Sequence, residues 1–291
     1  MPANLRTFGR AAAGRFGCFV SSSRLSSLRP VLLRYSLSLA AAVLAASVAR
    51  AQSAPAAPND DPSYRKEFVY GLNFNTRGGL IGGVSVRSTR VLNETWSRYW
   101  SIEGVEVKHP KEQRAASLNG GTFVPNKSNL FFVLRPSFGV QRVIFRKAPE
   151  SGVQVNALAG AGPSIGLQLP YYIYYDYTSR DANFRPIGPE DVRSEQFDPR
   201  KHSQPERVVD RAPLFTGAGQ IKPRIGAHIR GALSFEYGRY RDAVAGVETG
   251  VLLELYTQRP VILRYLNVDD ATINNSFYPS VYLTIYLGSR S

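Results

Sequence analysis

The sequence predicts an all-β fold: an antiparallel transmembrane β-barrel, most simply of eight strands with ten as the alternative, carrying long extracellular loops. Three observations predict it: two-faced segments long enough to cross a bilayer, an export leader, and connections that alternate long and short. The pattern is clearest between Arg224 and Tyr237. Ile225, Ala227, Ile229, Gly231, Leu233, Phe235 and Tyr237 fall on one side, and Arg224, Gly226, His228, Arg230, Ala232, Ser234 and Glu236 on the other. Successive side chains of a strand point to opposite faces, so this segment has one apolar face and one charged face. A barrel in lipid turns the first outward and the second into its lumen. Three more segments, starting at Val153, Ala243 and Phe277, keep the same period over ten residues or more, about the length a tilted strand needs to span a membrane.

The elements follow in order. Residues 1–51 contain seven arginines and no acid, then a Leu/Ala/Val/Ser stretch ending in Ala49-Arg50-Ala51. A charged region, a short apolar region and a small-x-small site make a secretory signal peptide cleaved near Ala51. An organellar transit peptide is the weaker alternative for residues 1–30. These residues also invite the reading of an over-long start, and since Met1 is the only methionine a later start would use a non-AUG codon. The leader holds the only cysteine, Cys18, and seven of the 36 basic residues, leaving 29 against 22 acidic ones. The remaining excess lacks a basic helix or any run of like charge, so nucleic acid is not an expected partner. No disulfide is expected in the mature chain.

Residues 52–64, rich in Ala, Pro and Asp, read as a disordered periplasmic lead-in, and residues 65–291 as the barrel. The first strand, Glu67–Asn75, aligns Phe68, Tyr70, Leu72 and Phe74. Thr76-Arg77-Gly78-Gly79 makes a tight turn into a second strand from Leu80 to about Arg87. The third, around Arg98–Lys108, is ambiguous: Trp100, Ile102 and Gly104 suggest one face and Val105 and Val107 the other, as a bulge would produce. Asn129–Gln141 is the fourth, with Leu130, Phe132, Leu134 and Pro136 outward and Arg135 inward. The fifth runs from Val153 to Leu167 or beyond, and the last three open near Arg224, Ala243 and Phe277. The connections 109–128, 178–223 and 258–275 are long while 146–151 and 239–242 are short. Long loops outside and short turns inside are the rule for outer-membrane barrels; the short first hairpin and the longish link 88–97 depart from it.

Candidate sites are fewer. Arg87, Arg135, Arg224, His228, Arg230, Glu236, Glu248 and Glu254 are assigned to the lumen, where an eight-stranded barrel has room for side chains or one small ligand. Buried charges must pair, so a packing network is expected, with Arg230 and Glu248 as partners. A polar path or small-ligand site centred on His228 is the sharper alternative. Tyr171, Tyr172, Tyr174, Tyr175 and Tyr177 suit a membrane-interface girdle or a surface face for sugar or peptide. His109, in Lys108-His109-Pro110-Lys111-Glu112, could form an acid–base pair with Glu112, as a lipid-modifying barrel enzyme would need, yet no spacing fixes a serine beside it. No catalytic residue is assigned. The three histidines lack metal-ligand spacing, and Gly160-Ala161-Gly162-Pro163 lacks the Lys-Ser/Thr of a phosphate cradle, so no metal or cofactor is expected.

The blocks Asn75-Thr76-Arg77-Gly78-Gly79-Leu80-Ile81-Gly82-Gly83, Lys108-His109-Pro110-Lys111-Glu112, Arg135-Pro136 and Ala161-Gly162-Pro163-Ser164-Ile165-Gly166 resemble those of uncharacterised outer-membrane β-barrel proteins of the Bacteroidota, over most of residues 66–288. The resemblance implies location and fold and no reaction. The expected role is an integral outer-membrane barrel with a structural, surface-interaction or envelope-transport accessory function. Its expected partners are outer-membrane lipid and, through loops 109–128, 178–223 and 258–275, envelope proteins or an extracellular ligand. A barrel enzyme, a narrow channel and a soluble periplasmic lipid-binding barrel are the alternatives. The last of these would put the Ile/Leu/Val face inward.

Overall fold

Alternating β-branched, aromatic and small polar residues favour extended backbone, and the long apolar/polar alternation fixes which face each strand shows. The computed structural model describes residues 64–146, 152–183, 185–237 and 243–291. The proposed leader and nearly all of the lead-in lie outside the described residues, as do the expected short turns near 146–151 and 239–242. The strands are β1 (Lys66–Asn75), β2 (Gly79–Val91), β3 (Trp96–Glu106), β4 (Ala115–Ala116), β5 (Thr122–Phe123), β6 (Asn129–Phe145), β7 (Val153–Pro170), β8 (Tyr172–Asp176), β9 (Val192–Gln196), β10 (Val208–Arg211), β11 (Lys222–Tyr237), β12 (Ala243–Tyr256) and β13 (Phe277–Arg290). Eight of them close a barrel in the order β1-β13-β12-β11-β7-β6-β3-β2. Every neighbouring pair is antiparallel, including β1 with β13, which seals the last edge. Among the described residues α-helix is confined to one turn, Asp270–Ile273.

Sequence and structure differ at three points. The third strand carries no bulge: β3 keeps continuous register with both neighbours. Its inward apolar residues, Val105 and then Val107 beyond the strand end, meet Phe131, Val133, Tyr256, Tyr278 and the loop residues Ile262, Leu263 and Ile273 in a buried cluster. The apparent face switch therefore marks where a loop enters the barrel. Second, β2 reaches Val91 and β3 begins at Trp96, so the connection is short after all. Asn93 closes it, its Oδ1 accepting from the Trp96 and Thr95 amides at 2.8 and 3.1 Å, an Asx turn. Third, register shifts fall in β1/β2 between Asn73 and Asn75 and in β6/β7 between Val143 and Phe145.

The barrel is apolar outside. Phe138 on β6 is 67 % exposed, Ile225 and Ile229 on β11 63 % and 57 %, and Leu255 on β12 56 %. The inverted, soluble lipid-binding barrel is thus incompatible with the fold, since it needs these side chains inside. Lumenal glycines make room for large residues on facing strands. A Cβ at Gly160 would stand 2.3 Å from the Tyr99 hydroxyl, and one at Gly246 2.4 Å from that of Tyr286.

The connections at the end opposite the termini fold into a cap. Residues 171–221 contain the three-stranded sheet β10-β8-β9 and residues 107–128 the β4-β5 pair. They are tied together by Leu118 N–H donating to Val208 O (3.1 Å) and Tyr171 N–H to Ser128 O (2.9 Å), and to the 257–276 loop by Ser128 N–H donating to Ile262 O (3.0 Å). The cap has its own core: Phe123, Leu130, Leu169, Tyr171, Ile173, Tyr175, Phe197 and Val208.

Candidate functional site

Inside the barrel the polar faces of the strands meet in three tiers. Nearest the termini, Arg290 reaches Glu67 at 2.9 Å and Glu236 at 2.6 Å beneath the Tyr64 ring, 4.1 Å away. In the middle tier Arg87 pairs with Glu248, which also accepts from the Tyr282 hydroxyl at 2.7 Å; Ser234 and Tyr286 hydroxyls lie 2.5 Å apart. In the third, Arg135 forks onto Glu254 through Nε and Nη2 at 2.9 and 2.8 Å and reaches Glu103 through Nη1 at 2.9 Å. Arg230 Nη2 donates to the other Glu103 oxygen at 2.6 Å. Bidentate, charge-assisted geometry of this kind is what makes buried pairs tolerable. The apolar cluster around Phe131, Ile262 and Leu263 lies above this tier, towards the cap.

Of the lumenal residues expected from the sequence, the barrel brings Arg135, His228, Arg230, Glu236, Glu248 and Glu254 inward, along with Arg87. Arg224 does not join them. It sits half-buried at the loop end, level with Val133 of the apolar cluster, and is bonded to Gln168 Oε1 at 3.0 Å and to Gln258. The expected Arg230–Glu248 pair is also corrected. Arg230 stands opposite Leu252 on β12, so its guanidinium crosses the lumen to Glu103 on β3, and Glu248 takes Arg87 from β2. Glu103, Glu67 and Arg290 were missed; Glu103 lay in the ambiguous third strand, and the other two at strand ends.

His228 is buried between two serines, Nε2 2.7 Å from Ser137 Oγ and Nδ1 3.0 Å from Ser164 Oγ. A Ser–His contact is the signature of an activated nucleophile, but a substrate needs room. A cavity of about 20 Å³ lies in the neighbouring tier, lined by Ser85, Arg87, Tyr99, Ser101, Glu103, Arg230 and Glu248 among others. That is about the room for one water, and Arg87 Nε, Tyr99 Oη, Ser101 Oγ and Arg230 Nε face it without protein partners. The polar path or ligand site centred on His228 is therefore replaced by a filled interior.

His109 is likewise committed. It is buried, its Nδ1 accepts from the Lys111 amide at 3.2 Å, and its Nε2 lies 3.0 Å from the Ile273 carbonyl, to which it donates. Glu112 bonds the His109 backbone N–H at 2.9 Å and the Lys127 ammonium at 2.8 Å, not the ring. The expected acid–base pair is a loop clasp instead.

The tyrosine run is corrected as well. Tyr171 and Tyr175 are 6 % and 4 % exposed, in the core of the cap, and so do not line a membrane girdle. Tyr172, Tyr174 and Tyr177 are half-buried. Tyr177 packs edge-on to Tyr175 at 5.0 Å between centroids, lies under the Arg193 guanidinium, and its hydroxyl meets His202 Nε2 at 3.3 Å.

His202 Nδ1 accepts from the Asp198 amide at 3.0 Å, so both cap histidines hold a loop amide through an unprotonated Nδ1. Burial pushes both below the ordinary imidazole value of 6.5. A depressed histidine pKa means the unfolded segment binds the extra proton first, so cap stability is full at neutral pH and falls as pH drops below about 6.5. Amide hydrogen exchange at Lys111 and Asp198, corrected for intrinsic rates, is expected to lose protection between pH 7 and pH 5, while the Arg230 amide on β11 keeps it. Equal protection at both pH values would remove the histidines from the clasp.

No family model matches the chain, and no curated protein matches it. Among solved structures, Ail, the attachment invasion locus protein of Yersinia pestis, aligns with 78 % of this chain and 99 % of its own at 11 % identity and a TM-score of 0.32. Neisserial surface protein A aligns with 80 % of this chain and 100 % of its own at 8 % identity and a TM-score of 0.34.

Proposed function

We propose that this chain is an integral outer-membrane barrel, exported by its leader and inserted with both termini in the periplasm, and that its working surface is the folded cap. One observation carries the reading: the wall is apolar and outward-facing all round the barrel while the lumen is filled by paired charges and closed by the apolar plug. Contiguous exposed apolar surface on that scale is not sustained in water, and a closed barrel satisfies every backbone group in lipid. A lumen whose cavity beside Arg87 and Arg230 has room for only about one water leaves the loops as the surface that can bind. Loops with their own core form a rigid surface, and rigidity lowers the entropy cost of recognition. The cap is thus a binding surface for another envelope component or an extracellular ligand.

The test is fractionation of cells expressing the full chain, with boiled and unboiled samples compared on a detergent gel, followed by planar-bilayer recording. The expected result is outer-membrane recovery, a heat-dependent mobility shift and no conductance steps above empty bilayer. A soluble protein without a shift would overturn the membrane assignment. Regular steps would overturn the closed lumen and restore the channel.

A further inference from the structure

The outside of the barrel is not uniformly apolar. At the end where the termini lie, four cations face outward on four successive strands: Lys66 on β1, Arg90 on β2, Arg98 on β3 and Arg142 on β6, all exposed. They are not scattered. Lys66 is paired in register with Arg90, and Arg90 with Arg98. Arg142 stands opposite Trp96, one outward position from Arg98, with its guanidinium 5.4 Å from that indole ring. Directly opposed residues on neighbouring strands hold their Cβ atoms about 4.5–5.5 Å apart, and like charges so placed are destabilising. A row of three such cations is a local cost to the fold. Among the described residues nothing offsets it: none of the four has an ion-pair partner, and Glu94 in the adjacent turn goes to Arg146 at 3.7 Å.

The row is also placed with respect to the apolar wall. Arg98 lies on the outward face of β3 between Trp96 and Trp100, which are 39 % and 43 % exposed. Indole rings prefer the headgroup level of a bilayer, so the cations sit at that level too. On the opposite half of the rim, among the described residues, the outward positions are Val153 of β7, Tyr237 of β11 and Ala243 of β12, with no charge. Among the described residues the outward positive charge at this rim is one-sided.

We propose that this patch is a binding site for the anionic headgroups of phospholipids in the periplasmic leaflet, the phosphates supplying the counter-charge that the described residues do not. The inference rests on the membrane reading above. A phosphate bridging two guanidiniums turns the opposed arginines from repulsion into a shared, charge-assisted contact. The apolar wall above them accepts the acyl chains of the same lipid, which a soluble acidic protein would leave uncovered. Basic clusters at the membrane surface draw anionic lipid in this way.

The chain carries its own reporter, because its only two tryptophans are Trp96 and Trp100. The full-length protein, freed of its leader, is reconstituted into phosphatidylcholine vesicles containing a minor fraction of either brominated phosphatidylglycerol or brominated phosphatidylcholine, and tryptophan quenching is compared. Brominated phosphatidylglycerol is expected to be enriched at the tryptophans about fivefold over the zwitterionic lipid, with the preference shrinking as salt rises. Arg90→Gln with Arg98→Gln is expected to abolish the preference, and Arg259→Gln on the cap to leave it unchanged. Equal quenching by the two lipids in the unmodified protein overturns the site, whether or not the variants insert. Failure of the unmodified protein to enter vesicles of either composition overturns the membrane reading itself.

Discussion

Arg135→Ala is expected to lower the unfolding stability of the reconstituted barrel by about 3–5 kcal/mol, the cost of removing one partner from a buried ion pair. The expectation is at the upper end because this guanidinium serves two carboxylates. Its three contacts to Glu254 and Glu103 lie between 2.8 and 2.9 Å, and all three side chains are 5 % exposed or less. Removing it strands Glu254 without a cation and leaves Glu103 with Arg230 alone. The effect belongs to the unpaired acid, not to a large intrinsic worth of the pair, since taking two charges out of water costs about as much as their attraction returns. Arg135→Met combined with Glu254→Gln should therefore recover most of the loss, with Glu103 still held by Arg230. The check is the urea midpoint of the reconstituted protein for both variants. A single substitution that leaves the midpoint unchanged would show that the lumen is wet and its charges solvated, which would bring the channel back.

The barrel was legible because a strand's period of two has no competitor over ten or more residues, and because inside and outside differ so sharply in chemistry. Ile225 to Tyr237 states its orientation in sequence alone. The partners inside were not legible, since they are chosen across the lumen and not along the sheet. Arg230 was matched with Glu248 on the neighbouring strand, yet a long guanidinium in a narrow barrel reaches the far wall as easily, and Glu103 waits there. The apolar inward residues Val105 and Val107 were read as a bulge because their reason, the insertion of Ile262, Leu263 and Ile273, is supplied by a loop about 150 residues away in sequence. The tyrosine run failed for a simpler cause. Tyr171, Ile173 and Tyr175 alternate with Tyr172 and Tyr174 at the period that found the barrel strands. Reading the run as a composition and not as a strand hid the buried face of β8. His109 resembled chemistry because a ring with two committed nitrogens looks, in sequence, the same as one with a free pair.

Ile229→Arg separates the membrane reading from every soluble alternative by the sign of its effect. Ile229 lies mid-strand on β11, 57 % exposed, between Ala161 on β7 and Leu253 on β12. In water an arginine at so open a position, flanked by apolar neighbours it can lie across, would be close to neutral and would raise solubility. In a bilayer the same charge sits near the hydrocarbon midplane, where an arginine costs about 2–4 kcal/mol on a barrel surface. The neighbouring charges cannot rescue it, because Arg230 and His228 point to the other face and no outward carboxylate flanks it on β7 or β12. The expected outcome is a large drop in the heat-shifted, membrane-inserted fraction. Ile229→Leu should insert normally, and Arg230→Gln, one residue away on the lumenal face, should insert but unfold at lower urea. An Ile229→Arg protein that inserts and shifts like the unmodified chain would mean that this wall does not face lipid, and the lipid-headgroup site at Arg90 and Arg98 would fall with it.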